Sequence, residues 1–97
     1  MKTGIELIAE ERARQISEEG WAAVLHDVHT EFELTSAGCG YAQAAMSEDT
    51  DLPFNWPWHH ESWKPSSDPI RNLVKAGALI ATEIDRLQRT RSTKPLP

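Results

Sequence analysis

The sequence contains a single cysteine, Cys39, and no long apolar run. One cysteine excludes an internal disulfide and any zinc site built on paired cysteines, which fits a reducing compartment. The charged N-terminus is unlike a signal peptide, and no segment approaches the roughly 20 apolar residues that cross a bilayer. A chain of 97 residues has room for one domain. We therefore expect a single domain over residues 1–97, soluble and cytoplasmic.

Basic residues are scarce through most of the chain. Residues 1–68 contain four of them against thirteen acidic residues, whereas residues 69–97 contain six against two. General nucleic-acid binding needs a basic face, which this acidic body does not offer. The basic C-terminal segment suits the C-terminal end of a helix. We expect no general nucleic-acid binding and no membrane binding.

What the sequence does contain is three helical patterns, without the alternation typical of strands. A capping box, Thr3-x-x-Glu6, opens the first pattern, which predicts a helix over about 4–19. A second box, Thr30-x-x-Glu33, opens a helix over about 31–46, where small residues would admit a close neighbour. With a third helix over about 69–90, the predicted fold is a compact all-α three-helix domain.

The third helix has the strongest pattern. Asp68 is a predicted N-cap, and Pro69 occupies the first helical position, where its missing N–H is not needed. We expect its packed stripe to be a heptad seam, in steps of three and four. Leu79 lies opposite this stripe, either as an isolated exposed leucine or in a second buried face such as a subunit contact. The seam residues are Ile70, Leu73, Gly77, Ile80, Ile84 and Leu87, and Val74 and Ala81 widen the seam.

Between the second and third helices lies a long segment without periodicity. We call its residues 52–65, LPFNWPWHHESWKP, the Trp loop. Its three tryptophans (Trp56, Trp58, Trp63) and Phe54 offer large rings to bury, which argues against disorder. We expect an ordered loop packed over the helices, with at least two of the tryptophans mostly buried.

A first candidate site precedes the second helix. His26, Asp27 and His29, with Glu33 one turn further, could supply ligands to zinc or another divalent metal. The competing interpretation is that both histidines form hydrogen bonds around the helix cap. Both interpretations remain open.

A second candidate site lies in the Trp loop. Rings of this loop could stack on a base or another planar ligand while a cation pairs with its phosphate. The alternative is that the two histidines lie on the surface between packed rings, and that the loop only completes the core. The candidate ligand-binding residues are Trp56, Trp58, His59, His60, Trp63, Lys64 and Arg71.

Three further residues are expected to have structural roles. Glu83 and Asp85 are expected on a solvated flank of the third helix, and Cys39 is expected to be a small buried residue.

Four segments together resemble a group of small, functionally uncharacterised proteins of tailed bacteriophages and prophages. They are TGIELIAEERARQISEEGW at 3–21, HDVHTEFEL at 26–34, WPW with WKP at 56–65, and RNLVKAGALIATEIDRLQR at 71–89. Similar members typically have an acid where Val28 stands and a glycine where Phe32 stands. The resemblance implies a phage accessory protein in the cytoplasm of a bacterial host.

The function class remains open between a binding protein and an enzyme. The first hypothesis is a non-enzymatic helical protein, expected to be a homo-oligomer because the chain is short, that engages a host protein or sequesters a small, nucleotide-like ligand. The alternative is a metal-dependent hydrolase similar to the all-α nucleotide pyrophosphohydrolases of the MazG type. Their E-x-x-E motif does not transfer, since Leu34 follows Glu31 three residues on and Arg86 follows Glu83. A third hypothesis is a purely structural module.

Overall fold

The computed structural model describes residues 1–19, 32–47 and 50–93 of the 97-residue chain. Within these ranges it has three α-helices and no strand: α1 at Gly4–Glu19, α2 at Glu33–Ser47 and α3 at Pro69–Thr93. A short 3-10 turn at His60–Ser62 interrupts the Trp loop. The all-α three-helix prediction is confirmed.

The first helix begins as its sequence predicts. The Thr3 backbone N–H donates to Oε1 of Glu6 at 3.2 Å, and the Glu6 N–H donates to Oγ1 of Thr3 at the same distance. These reciprocal bonds satisfy two N–H groups that have no partner within the helix. Asp68 caps α3 in a related way, because its Oδ1 accepts the Ile70 N–H at 2.9 Å.

The second helix begins later than predicted. Its first residue is Glu33 rather than residue 31, and the Phe32 carbonyl accepts the Ser36 N–H at 2.9 Å. Phe32 therefore occupies the position before the helix, with a φ of 63°. Side chains with a Cβ are strained in this left-handed region, whereas glycine is not. Thr30, the other half of the predicted capping box, lies outside the described residues.

Helices α2 and α3 pack antiparallel and form the core. Its buried residues are Leu34, Ala37, Tyr41, Ala76 and Leu79. The helices approach closely at Gly38, where an added Cβ would lie 3.2 Å from Cγ1 of Ile80. The small residues of α2 thus admit a close neighbour, as predicted. Cys39, expected to be buried, is exposed because it lies on the other face of α2.

The orientation of α3 agrees only in part with the expectation from its heptad seam. Leu79 and Ala76, on the supposed opposite side, are 1% and 4% exposed. In contrast, Ile70, Leu73 and Ile84 expose 62%, 52% and 51% of their area. The seam is therefore only partly packed within the chain, through Ile80 on Gly38 and Gly77 under Ile8. The alternative of a second buried face, at Leu79, is the one the fold adopts. Periodicity predicts an apolar stripe on a helix, but it does not predict whether that stripe packs on the same chain or on another one.

Helix α1 packs on α3 at two places. An added Cβ on Gly77 would lie 2.5 Å from Cδ1 of Ile8, so any larger residue would force the Ile8 side chain to shift. On the next turn of α1, Glu11 accepts a hydrogen bond from Nη2 of Arg71 at 2.6 Å. These contacts hold α1 beside the α2–α3 pair.

None of the helices among the described residues combines the length and the apolar character needed to cross a membrane.

We predict that Phe32→Gly stabilises the fold. Relief of the left-handed conformation is worth about 1–2 kcal/mol, and the added freedom of the unfolded chain costs roughly 0.5–1 kcal/mol. A net gain of about 0.5–1 kcal/mol is expected in urea unfolding followed by circular dichroism. Phe32→Ala is the control, because it removes the ring and keeps the Cβ; an equal gain in this variant would contradict the role of φ.

Candidate functional site

The Trp loop is packed over the helices through an aromatic cluster around Tyr41 of α2. The ring centroid of Tyr41 lies 4.6 Å from that of Trp63 and 5.8 Å from that of Trp56. Trp58 meets Trp56 edge to face at 5.5 Å. The three tryptophans are partly buried against the core, as predicted. Phe54, expected to bury its ring, is fully exposed.

Hydrogen bonds fix the polar ends of these rings. Nε1 of Trp63 donates to the Thr50 carbonyl at 2.9 Å, and Nε1 of Trp56 donates to the His59 carbonyl at 3.2 Å. The backbone N–H of Lys64 donates to the Tyr41 hydroxyl at 3.3 Å. The loop is therefore held by its own turn and by α2, which suits a preformed wall rather than a mobile flap.

A cavity of about 250 Å³ opens between α1, the Trp loop and the α2–α3 pair. Its walls combine indole and phenol rings with cationic groups and one amide. The lining residues are Glu11, Arg14, Gln15, Tyr41, Trp56, Trp58, Ser62, Lys64, Lys75 and Leu79.

A buried carboxylate lies where α1 meets this cavity. Glu11 is 2% exposed, and its two oxygens accept hydrogen bonds from Arg14 of its own helix at 2.8 Å and from Arg71 of α3 at 2.6 Å. Burial by itself would raise the pKa of Glu11, but the hydrogen bonds and charges of Arg14 and Arg71 outweigh it and lower the pKa from 4.5 to about 2. Glu11 is therefore ionised at neutral pH and already neutralised by its partners.

Gln15, one turn after Glu11, presents a buried acceptor without a donor. The residue is 3% exposed, and its Nε2 donates to Oε2 of Glu11 at 3.1 Å. An ionised carboxylate only accepts hydrogen bonds, so Glu11 fixes which end of the amide faces it. That leaves Oε1 of Gln15 with no hydrogen-bond donor, an arrangement that costs about 1–3 kcal/mol unless a ligand or water supplies one.

Two lysines give the cavity a positive charge. Nζ of Lys75 lies 5.4 Å from the centroid of the Tyr41 ring and donates to the Lys64 carbonyl at 2.7 Å. Lys75 is half-buried, and Lys64 is exposed at the mouth. With Arg14 and Glu11 in the same wall, cations outnumber carboxylates, so the cavity favours an anion.

The predicted ligand-binding residues separate into four groups. Trp56, Trp58 and Lys64 line the cavity, while Trp63 lies behind it against Tyr41. Arg71 lies beyond Glu11 and borders a second groove of about 450 Å³ between α1 and the start of α3. The two histidines lie outside the cavity. Sequence reasoning missed Glu11, Gln15 and Lys75; the four-residue spacing of the acid and amide on α1 was the available signal.

His59 and His60 are exposed at the tip of the Trp loop, with ring centroids 4.3 Å apart. One ligand atom from each histidine and one from Glu61 lie within 4.8 Å of one another, so this group could hold a metal ion. All three residues are exposed, and such surface groups are common without an ion. This agrees with the interpretation of surface histidines.

The candidate metal site before α2 falls largely outside the described residues. His26, Asp27 and His29 are not described, whereas Glu33 is half-buried in the first turn of α2. Glu83 was expected on a solvated flank of α3, but it is buried, with 4% of its area exposed. It accepts hydrogen bonds from Nε of Arg86 at 2.5 Å and from Oγ1 of Thr35 at 3.0 Å. The flank prediction is right only for Asp85, which is exposed.

Comparisons with known proteins do not place this chain in a family. No family model, curated protein or solved structure matches the chain.

We predict that Glu11 makes stability depend on pH at acidic values. Its folded pKa, about 2, lies below the unfolded value near 4.5, so its contribution is complete above pH 4.5 and is lost as the pH falls towards 2. Glu11→Gln removes the buried charge that Arg14 and Arg71 contact and should cost about 3 kcal/mol at pH 7. The difference from wild type should shrink between pH 4.5 and 2 in urea unfolding.

Glu10→Gln is the matched control for this measurement. Glu10 is an exposed neighbour that pairs with Lys2 on the surface, and surface pairs contribute about 0–1 kcal/mol. An unchanged pH dependence in Glu11→Gln would refute the assignment.

Proposed function

We propose that this chain is a non-enzymatic binding protein that sequesters a small, planar, anionic ligand of the nucleotide type in the cavity beside the Trp loop. The observation that carries the proposal is the unpaired Oε1 of Gln15. A buried acceptor without a donor is rare in folded proteins, and a ligand N–H would satisfy it. The exocyclic amino group of a nucleobase is such a donor.

The remaining walls support the same class of ligand. Trp56, Trp58 and Tyr41 provide ring faces and edges against which a planar group can pack, at about 1–3 kcal/mol per stacked base. Lys75 and Lys64 supply the charge for a phosphate or carboxylate. The volume of about 250 Å³ is near the lower end for ligand pockets, so a mononucleotide suits it better than a dinucleotide.

The phage resemblance supports a biological setting for this activity. Phe32 stands where similar phage proteins carry glycine, and its φ of 63° is a conformation that glycine adopts without strain. We therefore assign the protein to the accessory set of a phage or prophage, acting in the bacterial cytoplasm. Engagement of a host protein would be a second use of the same chain.

The alternative of a MazG-like pyrophosphohydrolase has less support from the described residues. Magnesium sites of that type need several convergent carboxylates. The two buried carboxylates in the described ranges, Glu11 and Glu83, are each held by arginine. An arginine-paired carboxylate is a poor ligand for a cation, so binding without hydrolysis is the better conclusion.

We predict that AMP binds in this cavity and quenches tryptophan fluorescence. Lys75→Met keeps the aliphatic stem over Tyr41 and removes the charge, so the affinity for AMP should fall at least about tenfold, or 1.4 kcal/mol. Adenosine carries no phosphate, and its binding should change little in this variant. Titration calorimetry and fluorescence would measure both ligands.

Lys2→Met is the control, because Lys2 is exposed and pairs with Glu10 away from the cavity. The proposal fails if AMP does not bind at millimolar concentration, or if Lys75→Met and Lys2→Met bind it equally.

A further inference from the structure

Several residues of the apolar seam of α3 are exposed in the single chain. Ile70, Leu73, Ile80 and Ile84 expose 62%, 52%, 43% and 51% of their area along one face of a single helix. From Ile70 to Leu87 the seam extends about 26 Å at 1.5 Å per residue. Ile5 of α1 is also exposed, with 83% of its area accessible. It lies one turn before Ile8, the residue that covers Gly77.

The core of the chain is small in comparison. Of the eight buried hydrophobic residues in the described part of the chain, four are alanines: Ala37, Ala44, Ala76 and Ala78. Contiguous apolar patches on a monomer mark interaction sites, and chains of this size commonly gain stability by oligomerisation. The apolar area that the fold leaves uncovered is therefore where a partner would contribute most.

We propose that the seam is the interface of a homodimer in which two copies of α3 pack antiparallel. The seam has two alternating sets of positions, and in an antiparallel coiled coil each residue of one set lies opposite a residue of the other set. With this spacing, every seam residue faces a seam residue of the second copy. Ile70 opposes Leu87, Leu73 opposes Ile84, and Gly77 opposes Ile80. Each of these layers occurs twice about the two-fold axis, as an isologous interface requires. Ile80 of one copy meets the surface that Gly77 and Ile8 form on the other.

The charge at the end of the seam selects this orientation over a parallel one. Parallel pairing would bring the two exposed Arg91 side chains together, since Arg91 continues the seam by one step. Antiparallel pairing places Arg91 at the end where the exposed Asp68 caps the other helix, and it opposes the helix dipoles.

The flanks of the seam are mostly small and apolar. Val74 and Ala81 border it on one side. Ala76 borders it on the other side together with Glu83, whose carboxylate is buried and paired with Arg86. Small flanks let two helices approach closely.

The first test measures the mass of the protein in solution by sedimentation velocity. The protein concentration runs from about 1 µM to 1 mM, a range on the order of the dissociation constants of weak dimers. The wild type should be a dimer at the higher concentrations. Leu73→Glu and Ile84→Glu each place a carboxylate in the Leu73–Ile84 layer, so each should weaken dimerisation at least about 100-fold. Both residues are half-exposed in the single chain, so the helical circular dichroism spectrum should persist.

Phe54→Glu is the matched control, since Phe54 is a fully exposed apolar residue outside the seam. It should leave the dimer unchanged. A chain that stays monomeric throughout, or a dimer that all three variants weaken equally, overturns the proposal.

The second test determines orientation by crosslinking in a Cys39→Ser background. Leu73→Cys and Ile84→Cys proteins should form a disulfide when mixed, because the layer places the two positions opposite each other. Neither should crosslink with itself, since antiparallel pairing separates like positions by eleven residues, about 16 Å. Self-crosslinking of either variant, with none in the mixture, would overturn the antiparallel arrangement.

Discussion

The ion pair between Glu11 and Arg71 is the constraint on which the rest of the structure depends. It is the polar contact that fixes α1 to α3, and the buried Glu11 carboxylate also holds Arg14 and the Gln15 amide in place. A buried charge is tolerated only when it is paired and hydrogen-bonded, so every group around Glu11 has a fixed position. The cavity wall on α1 follows from this arrangement. The unsatisfied oxygen of Gln15 is its consequence, because the carboxylate determines which end of the amide is left over.

The fold distributes its apolar residues in an unusual way, and the Trp loop compensates for it. Apart from Leu79 and Val74, the buried residues of α3 are small or polar, including Asn72 and Thr82, each at most 2% exposed. Such residues contribute little hydrophobic stabilisation. The indole rings that pack around Tyr41 supply what α3 does not, and this gives the long loop a structural reason. The same rings form one wall of the cavity, so core closure and a binding site need not be alternatives.

Local signals were the part of the structure that the sequence predicted well. Capping at Thr3 and at Asp68 depends on bonds spanning three residues or fewer, and these appear as expected. The orientation of α3 was predicted only in part because a heptad pattern reports an apolar stripe and not its occupant. The burial of Glu11 and Glu83 was missed for a related reason: only tertiary packing brings Arg71 and Thr35 to them. The rings of the candidate site were predicted, whereas its polar groups on α1 and α3 were not.

The two faces of α3 connect the cavity with the proposed interface. Lys75 and Leu79 line the cavity, while Leu73 and Ile80 lie on the seam, so residues at most two positions away from each other point to different surfaces of one helix. A close-packed helix moves as a unit, and Ile8 on Gly77 ties α1 to the same segment. A ligand that draws α1 towards Lys75 would therefore shift Ile8 at the edge of the seam. Binding and dimerisation would then be linked, and by thermodynamic reciprocity each would change the affinity of the other by the same factor.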